Sequence, residues 1–220
     1  MRILVLDAAL ACANVALVEQ DHIIAARHSA EKTGLAGQLP VMLAELLAEA
    51  GATIGGLDAI AVTIGPGSFT GIRAALALAE GLSLASGTKI IPVTIGEAMH
   101  QALPHLGVRT LWTAINSRRG HLFLETDAGC LSLPFDALPR PEGPVAIAGD
   151  ASIEVTARLA AINRNVMLTD ARHPSVRAIA AAALLRHEQT LPPREAAPLY
   201  VDPPEAKLPT GGLRPPPATA

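Results

Sequence analysis

The sequence predicts an α/β protein of two lobes, each with a mixed β-sheet flanked by helices. Short segments rich in valine, isoleucine and leucine alternate with longer segments of helical periodicity. The breaks between the first three strand-like segments are so short that only antiparallel pairing is open to them, whereas helices separate the later strands. The second half of the chain opens with a similar run of short strands, which is a weak sign of an internal repeat with the same order of elements.

The first half contains five predicted strands and three predicted helices in the order β-β-β-α-β-α-β-α. The strands are Arg2–Asp7, Asn14–Glu19, His22–His28, Leu57–Ile64 and Lys89–Val93. The helices are Gln38–Gly51, Thr70–Ser86 and Ile95–Leu103, with Gly51 and Gly87 placed to end the first two. The fourth strand is almost wholly apolar, which is typical of a strand whose sheet is covered on both faces.

Pro40 complicates the first of these helices. Its core stripe has helical spacing and consists of Leu39, Met42, Leu43, Leu46, Leu47 and Ala50. Because proline cannot donate the backbone hydrogen bond of a helix interior, either the helix starts near Gln38 or a longer helix is kinked at Pro40. The sequence leaves both alternatives open.

The second half contains four predicted strands and two predicted helices. The strands are Arg109–Asn116, Gly120–Thr126, Cys130–Leu133 and Val145–Ala148, and the helices are Ser152–Ala161 and Val176–His187. Beyond this the chain is rich in proline and poor in large apolar residues, so we expect an extended or partly disordered tail. The predicted organisation is an N-terminal lobe over residues 1–104, a C-terminal lobe over 105–190 and an extension over 191–220.

The composition excludes several classes of protein. Hydrophobic residues make up 50% of the chain and charged residues 17%, which is ample for a core. No run of about 18 residues lacks charges, glycines and prolines, and the N-terminal apolar run is too short for a signal peptide, so we expect a cytoplasmic protein without a membrane span. A formal net charge of −3 argues against independent nucleic-acid binding. Cys12 and Cys130 form no metal-binding pair and are expected to be buried thiols.

The most informative motif is the loop Gly65-Pro66-Gly67-Ser68-Phe69-Thr70-Gly71 between a strand and a helix. The continuation Gly71-Ile72-Arg73 lacks the lysine and hydroxyl residue of a Walker loop, and Ser68 lacks the flanking glycines of a nucleophile elbow. One interpretation is a tight turn that seats the helix against the sheet, with Thr70 as its N-cap. The other is a loop whose backbone amides bind a phosphate.

The first two helices carry small or apolar residues outside their core stripes. We predict that these positions form an interface with a partner chain, and they are Val41, Ala44, Glu45, Ala48, Ala74, Ala77, Leu78 and Gly81. A helix that is apolar nearly all round must be covered on two sides, and small residues allow close helix packing. The alternative is that the two helices cover each other within one subunit.

Several segments of the chain resemble the bacterial TsaB/YeaZ family, from Met1 to about Lys207. They are Asp7, the glycine block through Arg73, Ala79-Glu80-Gly81-Leu82, and Tyr200-Val201-Asp202-Pro203-Pro204-Glu205-Ala206-Lys207. The resemblance implies an actin-like, two-lobed fold related to sugar kinases. It also implies a non-catalytic relative of the catalytic subunit TsaD, with which family members pair through helices of the first lobe.

In that family the ATPase TsaE joins the pair, and the complex transfers a threonylcarbamoyl group to the adenosine beside the anticodon of certain tRNAs. The resemblance therefore implies a scaffold or activator that contacts tRNA only through the complex. It implies that the protein has no cofactor of its own. Binding of ATP or ADP at the interface with the partner subunit is left as an open alternative. When the partner is absent, the same helices are expected to form a homodimer.

The residues themselves favour a protein without a catalytic or metal site. TsaD-type relatives present two histidines four residues apart on a helix, whereas Lys32 stands four residues after His28. Asp7, followed by alanines without hydroxyls, is expected to be structural. The family pattern is also broken at Ala30, Asn116 and Asp202. The alternative function is an autonomous ATP-dependent phosphotransferase or metallopeptidase-like enzyme of the same superfamily.

Overall fold

Two five-stranded mixed sheets with helices packed against them make up the fold. It is seen in a computed structural model that describes residues 1–30, 34–117, 120–162 and 165–201. The predicted α/β class is confirmed. Most of the predicted proline-rich extension, from residue 202 onward, lies outside the described residues, as do Lys32 and Asp202.

The first sheet has the strand order β3-β2-β1-β4-β5. Its strands are β1 (Arg2–Asp7), β2 (Ala13–Glu19), β3 (His22–Ser29), β4 (Ala59–Thr63) and β5 (Lys89–Val93). Strand β1 pairs antiparallel with β2 and parallel with β4, so the sheet is mixed as predicted. The helices of this half are α1 (Leu35–Glu49), α2 (Phe69–Ser86) and α3 (Ile95–Ala102).

The second sheet repeats the topology of the first. Its strands are β6 (Thr110–Asn116), β7 (His121–Thr126), β8 (Gly129–Pro134), β9 (Val145–Ala148) and β10 (Val166–Leu168). The order β8-β7-β6-β9-β10 matches β3-β2-β1-β4-β5, with antiparallel and parallel neighbours in the same places. The remaining helices are α4 (Ser152–Ala160) and α5 (Val176–His187). The short strand β10 was not predicted from the sequence.

The first sheet is covered on both faces, which explains its nearly continuous apolar strands. Successive side chains of β1 point to opposite faces. Leu4 and Leu6 join the core under α1 and α2, whereas Ile3 and Val5 pack with residues of α5. Helix α5 follows the second sheet in the chain but packs on the first, so its packing crosses the predicted lobe boundary at residue 104.

The helix ends agree only partly with the predictions. Helix α1 starts at Leu35 and runs through Pro40, so the start near Gln38 was wrong and the helix is the longer one, while the kink at Pro40 stays a prediction. The N-cap of α2 is Ser68 rather than Thr70, because the Ser68 hydroxyl accepts a hydrogen bond from the Gly71 amide at 3.2 Å. Gly87 ends α2 in the left-handed conformation with φ of 75°, as predicted.

Among the described residues, no helix combines the length and the apolar character needed to cross a bilayer.

Candidate functional site

The glycine loop lies directly against the backbone that follows β1. A Cβ atom added to Gly67 would lie 2.9 Å from the carbonyl carbon of Ala9, and one added to Gly71 would lie 3.0 Å from that of Ala8. The Ser68 amide also donates a hydrogen bond to the Ala9 carbonyl oxygen at 2.6 Å. The tight-turn interpretation therefore accounts for both glycines, since only glycine allows the two backbone segments to approach so closely.

A cation in contact with two neighbouring aromatic rings lies at the start of α2. The guanidinium carbon of Arg73 is 3.7 Å from the ring centre of Phe69 and 5.5 Å from that of Tyr200. The Arg73 Nε donates a hydrogen bond to the Tyr200 hydroxyl at 2.7 Å. The two rings are about half exposed, at 56% and 50%. The segment that carries Tyr200 is fixed beside β4, because the Leu199 amide donates to the Ile64 carbonyl.

Asp7 is buried at the end of β1 and accepts three hydrogen bonds from the chain. Its Oδ1 accepts from the Ala9 amide at 3.1 Å and from the Thr63 hydroxyl at 2.7 Å. Its Oδ2 accepts from the Asn14 side-chain amide at 2.9 Å. Both oxygens of this buried carboxylate therefore have donors within the chain, as buried polar groups usually do.

The two cysteines differ in their surroundings. Cys12 is buried, and burial together with the charge of Asp7 raises the pKa of its thiol to about 11, so that the thiol is protonated at neutral pH. Cys130 is only partly buried, which corrects the expectation for that residue.

The remaining polar positions singled out in the sequence do not converge. The ring of His28 contacts the Asn14 side-chain oxygen at 2.7 Å, and the amide of Asn116 donates to Asp150 Oδ1 at 2.8 Å. Ala30 is exposed. Within the part of the chain that the structure describes, no three His, Cys, Asp or Glu residues lie close enough together to hold a metal ion.

The predicted interface residues lie together on the outer side of two neighbouring helices, which we call the α1–α2 face. Helices α1 and α2 pack side by side. Ala74 and Leu78 are partly buried between the helices and the core. The other six are exposed, and they are Val41, Ala44, Glu45, Ala48, Ala77 and Gly81. The two helices therefore do not cover each other fully, and α5 lies on the opposite face of the sheet.

The α1–α2 face is unobstructed around Gly81 and carries an ion-paired arginine, Arg27, at its edge. A Cβ atom added to Gly81 would meet no other atom within 4 Å. Arg27 of β3 forms ion pairs with Glu45, at 3.7 Å, and with Glu49. Leu84, one turn beyond Gly81, is 89% exposed. A large apolar side chain and small residues are thus presented outward together.

A buried polar network at the start of α3 was not predicted from the sequence. Arg186 of α5 forms an ion pair with Glu97, and their side chains are only 6% and 15% exposed. Burial alone would raise the pKa of Glu97, but the hydrogen bond from Arg186 holds that pKa below its ordinary value. Glu125 of β7 accepts hydrogen bonds from the Thr94 hydroxyl and from the Gly96 amide, so a residue of the second sheet caps a helix of the first half.

The acid Glu125 is expected to make the protein less stable as the pH rises. Burial raises its pKa, and the nearby charge of Glu97 adds to this effect. The folded state then holds the proton to a higher pH than the unfolded state does, so stability falls as the pH rises from about 4.5, the ordinary value, through the raised pKa. In Glu125→Gln this fall should disappear, whereas Glu142→Gln, an exposed control, should leave it unchanged. Urea unfolding across this pH range measures the free energy of unfolding of both variants. If Glu125→Gln shows the same pH dependence of this free energy as the wild type, the expectation is contradicted.

Comparison with known families connects the first half of the chain with TsaD. The family model described as "TsaD: tRNA N6-adenosine threonylcarbamoyltransferase" matches residues 23–123, which contain α1 and α2. The chain is 33% identical over 127 residues to the tRNA threonylcarbamoyladenosine biosynthesis protein TsaB of Haemophilus influenzae, covering 56% of this chain and 52% of that protein. It is 32% identical to TsaB of Escherichia coli over 56% of this chain and 53% of that protein. The matches thus span about half the length of these curated relatives.

Solved structures of other proteins have the same fold. YeaZ from Pseudomonas aeruginosa superposes with a TM-score of 0.74 and 24% identity, over 90% of this chain and 99% of that one. A putative N-acetylmannosamine kinase from Listeria monocytogenes shares the fold with a TM-score of 0.54 and 10% identity, over 87% of this chain and 100% of that one. The fold, with two mixed sheets of equal topology, is therefore actin-like. Together these comparisons show that the first half of the chain is similar in sequence to TsaB and TsaD proteins, and that the fold is similar to that of YeaZ.

Proposed function

We propose that this protein acts in the synthesis of N6-threonylcarbamoyladenosine in tRNA, as a non-catalytic scaffold and activator of a TsaD-type subunit. The α1–α2 face is the observation that carries the proposal. It presents small and apolar side chains outward on two helices whose other sides are already packed in the core. Helices with such surfaces are suited to a close helix bundle with a second chain.

The partner that suits this face has a related pair of helices. The TsaD family model matches the segment of this chain that contains α1 and α2, so a TsaD-type subunit has a similar segment to offer. A bundle of four such helices would bury on the order of 1,600 Å², which is the size of a standard specific interface. A TsaE-type ATPase would join this pair in the cytoplasm, and tRNA would be bound by the assembly.

The contribution of the chain to the reaction would be through binding rather than chemistry. The histidine pair of TsaD-type relatives is missing from its sequence. The carboxylate of Asp7 already has three donors within the chain. An autonomous phosphotransferase would instead need turnover of Mg-ATP by the purified chain, and a metallopeptidase would need a bound metal. Turnover by the chain alone would therefore overturn the non-catalytic role.

The experiment that tests the proposal places a charge on the α1–α2 face. Ala77→Arg is expected to weaken binding to the TsaD-type subunit at least about a hundredfold, because an unpaired charge buried in an interface costs several kcal/mol. The measurement is co-elution of the two purified proteins on size exclusion, together with tRNA modification by the mixture.

The matched control is the same substitution on an exposed helix of the second half. Ala157 of α4 is exposed, as Ala77 is, so Ala157→Arg should leave both co-elution and modification unchanged. Both variants should keep the wild-type thermal unfolding. If Ala77→Arg still co-elutes and still supports the modification, the proposed interface is wrong.

A further inference from the structure

The chain passes twice between two bodies, each built on one sheet. The first body is the first sheet with α1, α2, α3 and α5, and the second body is the second sheet with α4. Because α5 returns to the first sheet, residues 103–109 and residues 169–175 both connect the bodies. The element of the first body that packs most against the second is α3, on β6. The angle between the bodies can therefore change at these places without any strand leaving its sheet.

The apolar contact between the bodies surrounds α3. Ile95 and Met99 of α3 belong to the same buried cluster as Leu111 and Ile115 of β6. Burial of apolar surface is favourable but not directional, so this contact holds the bodies together without fixing their angle. Hydrogen bonds depend on direction, so they are the contacts that fix an angle.

Two hydrogen bonds join the bodies at the start of α3, and both end on Glu125 of β7. Its Oε1 accepts from the Thr94 hydroxyl, and its Oε2 accepts from the Gly96 amide at 2.8 Å. The N-terminus of a helix carries a partial positive charge, and hydrogen bonds to a carboxylate are stronger than those to a neutral acceptor. A carboxylate from the second body is therefore well suited to this position on the first.

The first turn of α3 depends on the second body for one of its amides. The amides of residues 95, 97 and 98 donate to acceptors of the first body, which are the Gly65 carbonyl oxygen and two oxygens of Thr94. The Gly96 amide instead donates to Glu125. If the bodies rotate apart, this amide loses its partner within the chain, which makes the rotation unfavourable.

Gly96 is the residue that lets the carboxylate approach. A Cβ atom added to Gly96 would lie 2.7 Å from each oxygen of the Glu125 carboxylate. The carboxylate is the end of a flexible side chain, so an alanine at this position displaces Glu125 rather than the helix. Glu125 of the second body and Gly96 of the first thus form a matched pair.

We infer that Glu125 is a latch between the two bodies, which holds them at one angle through its hydrogen bonds to Thr94 and Gly96. When the latch is removed, the second body rotates relative to the first while both stay folded. The inference does not depend on the proposed function, because these three residues lie outside the α1–α2 face.

The distance between two spin labels, one on each body, tests this inference. His187 of α5 and Ala157 of α4 are exposed and are replaced by cysteine in the full-length chain for labelling. Cys12 is buried and stays, whereas the partly buried Cys130 is changed to serine in every sample. Pulsed electron paramagnetic resonance then measures the distribution of distances. A rotation on the order of 15° moves a label that lies about 20 Å from the hinge by about 5 Å.

Two variants remove the latch from opposite sides. With the latch intact we expect one narrow distance, and in Glu125→Ala a second population that differs by about 5 Å. Gly96→Ala should give the same second population, because its methyl group displaces the carboxylate. The double variant should show no more of this population than either single variant, since both changes remove one contact.

The controls change similar residues away from the latch. A Cβ atom added to Gly81 meets nothing within 4 Å, so Gly81→Ala should keep the narrow distance, and so should Glu142→Ala, which removes an exposed acid. Thermal unfolding shows which variants are folded. If folded Gly96→Ala keeps the narrow distance, the latch is wrong, even where Glu125→Ala does not fold. A double variant with more of the second population than both single variants also overturns it, because the two residues would then act separately.

Discussion

Replacing Gly71 with alanine is expected to destabilise the protein by about 3 kcal/mol or more. The added Cβ would lie 3.0 Å from the carbonyl carbon of Ala8 and closer still to its oxygen. Neither neighbour is a flexible side chain, so either the first turn of α2 or the backbone after β1 must move. Urea unfolding followed by circular dichroism measures the loss.

The same substitution elsewhere on α2 provides the control. A Cβ atom added to Gly81 meets nothing within 4 Å, so Gly81→Ala should be neutral or should stabilise the protein by up to about 1 kcal/mol, because alanine is the better helix former. If Gly71→Ala is as stable as Gly81→Ala, the close approach of the loop to the strand end is wrong.

Replacing Arg186 with methionine is expected to cost about 3–5 kcal/mol, because it leaves the buried carboxylate of Glu97 without its main partner. Arg186 also donates to the carbonyl oxygens of Pro92, in β5, and of Pro192, just after α5. The change therefore also removes a bond that attaches α5 to the first sheet. Arg194, at 3.5 Å from Glu97, compensates for only part of the lost charge. Urea unfolding of the variant and the wild type at neutral pH measures the change in the free energy of unfolding.

Two further variants define the origin of this loss. Arg177, on the same helix, is exposed and pairs with exposed Asp21 at 3.6 Å, so Arg177→Met should cost no more than about 1 kcal/mol. In the double variant Arg186→Met/Glu97→Gln the buried charge at position 97 is absent, and this variant should be more stable than Arg186→Met alone. A double variant that is no more stable than the single one would show that the charge of Glu97 is not the cause.

The local elements could be predicted from the sequence because their signals are local. Lys89–Val93, Val145–Ala148 and Val176–His187 have the predicted bounds. A run of branched apolar residues beside a glycine marks each of the two strands, and Ser175 caps the start of the helix. The placement of α5 could not be predicted, because its alanines indicate a buried helix without saying which sheet covers it. Strand β10 has only three residues, too few for a period to be recognised.

The helix positions of the candidate site could be predicted from helical spacing. The contacts between residues far apart in the sequence could not. Residues off the core stripe of α1 and α2, such as Val41 and Ala77, lie on the outer side as the spacing indicates. The bond from Arg73 to Tyr200 joins positions 127 residues apart, and that from Arg186 to Glu97 joins positions 89 apart. No local pattern connects such residues, so only the folded chain brings them together.

The position of α5 determines when the first sheet can finish folding during synthesis. On the ribosome, strands β1 to β5 emerge well before residues 176–187, which supply the apolar cover for one side of their sheet. Until then Ile3, Val5 and their neighbours on that side face water, and the contacts that will cover them are among the most distant in the chain. The first sheet is therefore completed only after residues 176–187 have been synthesised, so the growing chain depends on slow, non-local closure and on protection from aggregation until then.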